Sequence, residues 1–379
     1  MVVTLFAAFV FLAIYSFLVY PLLLWLLALM FGRRSRADES HEPAVSVVIP
    51  AYNEAAIIGE KIENTLAIDY PPAKLEVLVA SESDDGTGSI VRRYAGRGVR
   101  LIESDVRRGK VANLNRAIPG TSGDILLLTD ANAMIRPDAL RRLVRHFADP
   151  RIGAVSGRLT YENPGGGGAG ASEELYWSME QIVKRASSRL FSLPGANGSI
   201  FAVRRECYRP IAEDRGDDFE IPIRCVIDGY GSILEPDAIS TEAATEGFTQ
   251  EFRRKVRIIN WMLRSALILL GEAVSRGRIL LAFQIVSHKI NRWALPFWLA
   301  GIFVTSLMLM GQAPFFAAVA GAQAAFYAMA LALLAVHRSG VRLRGLLGIP
   351  AYFLVINVAS VVGIFSCLFG REVTWHKTR

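Results

Sequence analysis

Nine residues, Asp124-Ile-Leu-Leu-Leu-Thr-Asp-Ala-Asn132, constrain this chain most. Ile125 to Leu128 is an unbroken apolar run, the pattern of a strand covered on both faces, and such strands belong to the interior of parallel α/β sheets. The run stops at Thr129-Asp130-Ala131-Asn132, which leaves a carboxylate and an amide oxygen at the strand's carboxyl end. In open α/β sheets ligands bind at that edge. Two hard oxygen donors there suit a divalent cation whose shell a substrate phosphate completes. Alone, the same residues better suit a strand followed by an Asx turn.

The neighbouring segments repeat the pattern. Residues 45–49 predict a strand ending in the loop Pro50-Ala-Tyr-Asn-Glu54, with a helix over 55–66. Residues 75–79 predict a second strand ending in Ser81-Glu-Ser-Asp-Asp-Gly-Thr87, with a helix through Tyr94. Residues 99–102 predict a third, and Arg107-Arg-Gly-Lys110 opens a helix to Ala117. Alternating strands and helices predict a mostly parallel, doubly wound sheet whose polar loops meet in one crevice. Beyond it, 153–161 predicts a strand, 164–170 a glycine-rich loop, 173–190 a helix, and 194–199 a turn before a strand over 200–203. Asp217-Asp218 opens a helix through Ile227, with the acids at its amino end. Two short strands, 231–234 and 241–246, close the domain.

The ends of the chain are different. Residues 5–31 form an uncharged run of 27, enough to span a bilayer, without the basic n-region or cleavage site of a signal peptide. Arg33-Arg34-Ser35-Arg36 follows and predicts that the downstream side is cytoplasmic. Residues 252–277 mix arginines with apolar residues, a composition suited to a helix in the headgroup region. Residues 294–310, 313–336 and 346–369 are then membrane-length apolar segments. The 52% apolar content comes from these ends, and the net charge of +7 lies largely beside them, which fits an anionic membrane surface. No basic stripe with interleaved aromatics is present, so nucleic acid is not an expected partner. The cysteines, Cys207, Cys225 and Cys367, have neither metal nor disulfide spacing. One conflict is left: three spans after the domain place the basic tail outside, where the positive-inside rule does not want it. Either the last segment, interrupted by Gly348 and Pro350, is re-entrant or interfacial, or the tail breaks the rule.

The expected organisation is a membrane helix over 1–32, an α/β domain over 44–250, an amphipathic interface region over 251–292, membrane segments over 293–370 and a basic tail over 371–379.

Six motifs occur in order: residues 45–54, Ser83-Asp-Asp-Gly-Thr87, Gly109-Lys110 through Leu114-Asn115, Thr129-Asp-Ala-Asn132, Asp217-Asp218 and Arg254-Lys-Val-Arg257. The chain resembles membrane-embedded family-2 glycosyltransferases of the GT-A fold, related to polysaccharide synthases, over roughly residues 44–261. The resemblance implies inverting transfer of a sugar from a nucleotide-sugar to an acceptor hydroxyl at the inner (plasma) membrane, with the catalytic domain cytoplasmic. It implies that Ala51, Tyr52, Glu54 and Ser81 line the nucleoside site, with Tyr52 against the base and Glu54 near the ribose. Lys110, Arg254 and Arg257 would meet the phosphates, and Asp130 with Asn132 would hold Mg²⁺ or Mn²⁺. Asp218 would be the base, with Asn197, Gly198, Asp217 and Trp261 on the acceptor side. The chemistry asks for such groups independently: a departing diphosphate needs cations, and an attacking hydroxyl must lose a proton.

There are departures from the family pattern. Asn132 stands where a second carboxylate is usual. Ser81 stands where many members carry a uracil-contacting aspartate. Arg257 is followed by Ile258, with Trp261 one turn later, instead of the Gln-X-X-Arg-Trp of processive synthases. Three readings therefore compete: a transferase building a cell-surface polysaccharide or glycolipid, single transfer to a polyprenyl-phosphate lipid, and a non-catalytic subunit scaffolding a synthase complex. On its own, Asp218 also suits a helix cap.

Overall fold

The computed structural model describes residues 1–162, 170–243, 248–339, 341 and 347–370, and of 162 and 170–179 the backbone alone. The anticipated strands appear as β1 (Val45–Ala51), β2 (Leu75–Ser81), β3 (Val99–Glu103) and β4 (Ile125–Leu128). They form a parallel half-sheet in the order β3-β2-β1-β4. All residues of β1 and β4 are buried, as strands covered on both faces must be.

The sheet is not parallel throughout. β7 (Phe201–Arg204) lies antiparallel between β4 and β6 (Ile152–Glu162). β8 (Gly231–Ala243) runs parallel to β6, and the two-residue β5 (Met134–Ile135) closes the edge antiparallel to β8. The two short strands expected at 231–234 and 241–246 are one strand, β8, as far as the described residues reach. Its pairing with β6 is irregular in two places, and those shifts let one long strand follow the curl of the sheet. The glycine-rich segment 164–170 lies almost wholly outside the described residues.

The chain leaves β1 toward β2 and β3 on one side and returns to β4 on the other. The order therefore switches between β1 and β4, and a crevice opens at their carboxyl ends. Ala51 and Leu128 end those two strands, which sets the Pro50–Glu54 loop beside Asp130.

Among the described residues, four helices are long and apolar enough to cross a membrane: Val2–Phe31, Phe248–Ser275, Pro314–Arg338 and Gly348–Leu368. At about 1.5 Å per residue the 30-residue first helix reaches about 45 Å, more than the roughly 30 Å hydrocarbon core. Gly348 and Pro350 do not interrupt the last helix; they lie in its first turn, where proline removes no helical hydrogen bond. The break falls elsewhere. Ile279–Trp293 and Leu295–Leu309 meet at a bend of 59°, a broken span or a re-entrant pair, with Pro296 at the start of the second helix.

The helix Phe248–Ser275 is bound to the α/β domain and to the apolar helices alike. Ala266, Leu269 and Ala273 share a core with Phe219, Ile223 and Ile227 of the Asp217–Ile227 helix. On another face Gly363 of the last helix approaches so closely that a Cβ there would sit 2.9 Å from Ile259 Cβ. The Val2–Phe31 helix is tied in by Ser16 Oγ, which donates to Ser287 O at 2.8 Å, and by Asn291 Nδ2, which donates to Leu12 O at 3.0 Å.

Candidate active site

A cavity of about 480 Å³ follows the carboxyl ends of the strands. Every site residue expected from sequence lines it except Ser81. Ser81 is buried, and its hydroxyl lies 2.9 Å from Ser83 Oγ, turned into the β2 loop.

The β1 loop is fastened to the β2 loop. Asn53 has φ +55°, a left-handed conformation that asparagine tolerates, and its amide exchanges hydrogen bonds with Asp84 (Nδ2 to Oδ1 2.6 Å; Asp84 N to Oδ1 3.1 Å). Glu54 N donates to Thr87 Oγ1 at 2.9 Å. Tyr52 presents its ring to the Arg107 guanidinium, 4.0 Å from the ring centre. Glu82 lines the cavity but organises protein. Its carboxylate accepts from Arg108 N (2.9 Å), Gly109 N (2.7 Å) and Arg116 (3.0 Å), which sets the chain just before Lys110.

At the centre Lys110 Nζ lies 2.8 Å from Asp130 Oδ1 and 2.9 Å from Asp217 Oδ2. Burial alone would push this ammonium down; the carboxylates of Asp130, Asp217 and Asp218 outweigh it and hold Lys110 charged. Gly198 is the floor between the acids. A Cβ at this position would stand 3.3 Å from Asp218 Oδ2 and 3.6 Å from Asp130 Oδ2.

Asp218 is not a helix cap. Its helix has Gly216 at the N-cap and no side-chain cap, so the carboxylate is left to the cavity. Desolvation first, and then the neighbouring Asp217 carboxylate, push it up to about 6, with Lys110 opposing. Its placement comes from Pro222. A helix would return the N–H of residue 222 to the carbonyl of residue 218, but proline has none. The freed Asp218 carbonyl instead accepts from Ala196 N at 2.7 Å, stitching the first turn of this helix to the 194–199 turn. Asn197 lines the cavity from that turn, but its oxygen is engaged by Ser199, 3.0 Å from Oγ.

The opposite wall is the Phe248–Ser275 helix, with Arg254, Arg257 and Trp261. Arg254 is held by Glu251 at 2.8 Å, and Arg257 lies over the Trp261 ring at 5.7 Å. The far end is lined by Glu180, His288, Lys289, Arg292 and Trp293. Buried Glu180 accepts from Arg292 at 2.8 Å and lies 3.1 Å from His288 Nε2.

Several of these residues carried no readable signal. Glu180, Lys289 and Arg292 reach the cavity through tertiary packing alone. Asn113 also lines it, buried, with its Oδ1 unpartnered among the described residues. Lys61 did leave a signal: it occupies a position in the buried stripe Ile58, Lys61, Ile62, Thr65 of its helix. Burial pushes this ammonium down to about 7, against the pull of Asp130 and Glu242.

The Gly198 gap yields a prediction. Gly198→Val should lower kcat/KM on the order of tenfold or more, the effect of about 1–3 kcal/mol of overpacking between the Asp218 and Asp130 carboxylates. Gly198→Ala should cost less. Steady-state kinetics of the folded variants check this.

The comparisons agree with the geometry. Residues 43–260, more than half of the chain, match the family model described as "Glycosyltransferase like family 2". The chain belongs to the family-2 glycosyltransferases and is an enzyme of that family. It is 26% identical over 294 residues to an N-acetylglucosaminyltransferase of Rhizobium meliloti (strain 1021), covering 68% of each chain. It is 32% identical over 152 residues to a beta-monoglucosyldiacylglycerol synthase of Synechocystis sp., covering 37% of this chain and 32% of that one. Among solved structures, the mannosyltransferase PcManGT from Pyrobaculum calidifontis, in complex with GDP-Man and Mn²⁺, superposes with a TM-score of 0.74 at 24% identity. That match covers 98% of this chain and 100% of the other, and the likeness establishes the GT-A fold.

Proposed function

We propose that this enzyme transfers a sugar, with inversion, from a nucleotide-sugar to a hydroxyl of a glycan or lipid acceptor at the membrane. The observation that carries the reading is the convergence of Asp130, Lys110, Asp217 and Asp218 around the side-chain-free floor at Gly198. The donor's base would lie toward Tyr52 and Arg107, and its diphosphate toward Lys110, Arg254 and Arg257.

The open floor at Gly198 and the hard oxygen pair of Asp130 and Asn132 fit Mg²⁺ or Mn²⁺. The presence of Mn²⁺ with GDP-Man in PcManGT supports the choice. Among the described residues no group of three His, Cys, Asp or Glu side chains is arranged to hold a metal by itself, so the donor's phosphates would have to complete the shell. Such a cation supplies charge neutralisation for the departing diphosphate.

This chain's own residues do the rest. Asp218 takes the proton from the acceptor hydroxyl as the hydroxyl oxygen bonds to the anomeric carbon, while the bond from that carbon to the diphosphate oxygen breaks on the other face. A carboxylate held near 6 is ionised at neutral pH yet basic enough to take the proton. Lys110, with Arg254 and Arg257, meets the charge that builds on the leaving group. Asp217 fixes Lys110 in place. The acceptor enters past Trp261 and Trp293, where the wall is built from the helices Phe248–Ser275 and Ile279–Trp293, so delivery from the membrane side is favoured.

Membranes carrying the chain should release nucleoside diphosphate from one of a panel of nucleotide-sugars, and the label should enter a glycan or lipid product. No release from any donor contradicts the reading and favours a non-catalytic subunit. Product length then separates a polymerising enzyme from single transfer to a lipid.

We further place this chain in the inner membrane, with the α/β domain that holds the site cytoplasmic. Asp105 is exposed on the β3 loop, Cys207 and Cys225 are buried, and the partly exposed Cys367 is changed to serine for the test. Asp105→Cys should be protected from an impermeant thiol reagent in intact cells and react after permeabilisation. Labelling in intact cells contradicts the orientation.

A further inference from the structure

The loop from Thr129 to Ile135 carries Asp130 and Asn132, yet little regular structure holds it. β5 pairs with β8 at only two positions, Met134 with Thr241 and Ile135 with Ser240. The helix Ile58–Leu66 beneath it supplies further ties from its side chains. Lys61 and Asn64 stand three residues apart and so share a face. Lys61 Nζ donates to Thr129 Oγ1 at 2.9 Å and to the carbonyl of Ala133. Asn64 donates from Nδ2 to Ile135 O at 2.8 Å and accepts from Ile135 N at 2.8 Å. Thr129 Oγ1 passes the tie onward by donating to Ser199 O at 2.8 Å, next to Gly198.

Three points on either side of Asp130 and Asn132 are thus fixed by two side chains of one helix. We propose that Lys61 and Asn64 are positioning residues that clamp this loop, setting where Asp130 holds the donor's diphosphate relative to Asp218. The inference rests on the metal and donor reading given above. A fully buried lysine is a costly way to fill a core position, where methionine or leucine of similar length would do. Its ammonium is well used only if the two oxygens it binds must stay put. Small displacements at such a loop act on the rate of the chemical step more than on binding, and about 1 Å can cost on the order of 10²-fold.

Metal affinity alone is a poor readout for Lys61. Removing its positive charge strengthens cation binding, while loosening the loop weakens it. Asn64→Leu changes no charge and isolates the geometry. The test compares Lys61→Met, Asn64→Leu, their double variant and the exposed control Lys74→Met. It reads thermal unfolding, steady-state kinetics and the Mn²⁺ EPR spectrum with a nucleoside diphosphate bound.

Both single variants should stay folded, lose on the order of tenfold or more in kcat, change the donor KM by less than about threefold, and alter the EPR line shape. The double variant should cost little more than the worse single, because both hold one loop. Lys74→Met should match wild type. Folded variants with wild-type kcat and an unchanged Mn²⁺ spectrum overturn the clamp. If either variant fails to fold, Thr129→Val, which keeps volume but removes the shared hydroxyl, decides by the same two readings. The failures are distinguishable: if wild type leaves the spectrum of Mn²⁺ with nucleoside diphosphate as it is without protein, or Asp130→Ala gives the wild-type spectrum, the metal reading itself falls.

Discussion

Asp218→Asn should leave membrane insertion and nucleotide binding near wild type while transfer falls by about 10²-fold or more, the scale of a lost general base. Folding should survive, because Asp218 caps nothing and its tie to the 194–199 turn is made by its backbone carbonyl. The sign of the linkage agrees. A carboxyl raised in the fold is disfavoured as the anion, so its contribution to stability is lost as pH rises through about 6. An amide escapes that loss, and the variant's Tm above pH 7 should equal or exceed wild type. In wild type the rate should fall as pH drops through about 6, since the base must be ionised. Asp217→Asn removes the neighbouring charge that helps to raise Asp218, so it should move that limb to lower pH and cost less in rate. If the two substitutions behave alike, or Asp218→Asn chiefly unfolds the protein, Asp218 is not the base.

Asp130→Ala should abolish turnover, on the order of 10²–10³-fold or more, because one carboxylate pairs with Lys110 and, in the proposed reading, also holds the metal. Turnover should require Mg²⁺ or Mn²⁺. Asn132→Asp should retain activity or tighten metal binding by adding a carboxylate to the shell. Titration of activity against each ion, for wild type and both variants, checks this. Full activity in excess EDTA contradicts it.

The parallel half of the sheet was legible because its strands are continuous apolar runs ending in polar loops, and the loop chemistry at 50–54, 129–132 and 217–218 located the crevice. The antiparallel insertion of β7 was not legible, because four residues such as Phe201–Arg204 read alike in either direction. Ser81 misled because position in the chain does not fix where a side chain turns; only its bond to Ser83 shows that. Lys61 was visible as a charge on an apolar stripe, but its partners lie about 70 residues away. Pro222 could be seen as a helix irregularity, whereas the carbonyl it frees matters only because Ala196 sits opposite. The far end of the cavity depends on how the Ile279–Trp293 helix docks, which no local pattern encodes.

Direct displacement with Asp218 as base demands that the acceptor attack the face opposite the leaving diphosphate. The anomeric configuration of the transferred sugar, read by NMR on product made from a donor of known configuration, therefore tests the mechanism at its root. The geometry predicts a product of opposite configuration to the donor. A product that retains the donor's configuration contradicts it.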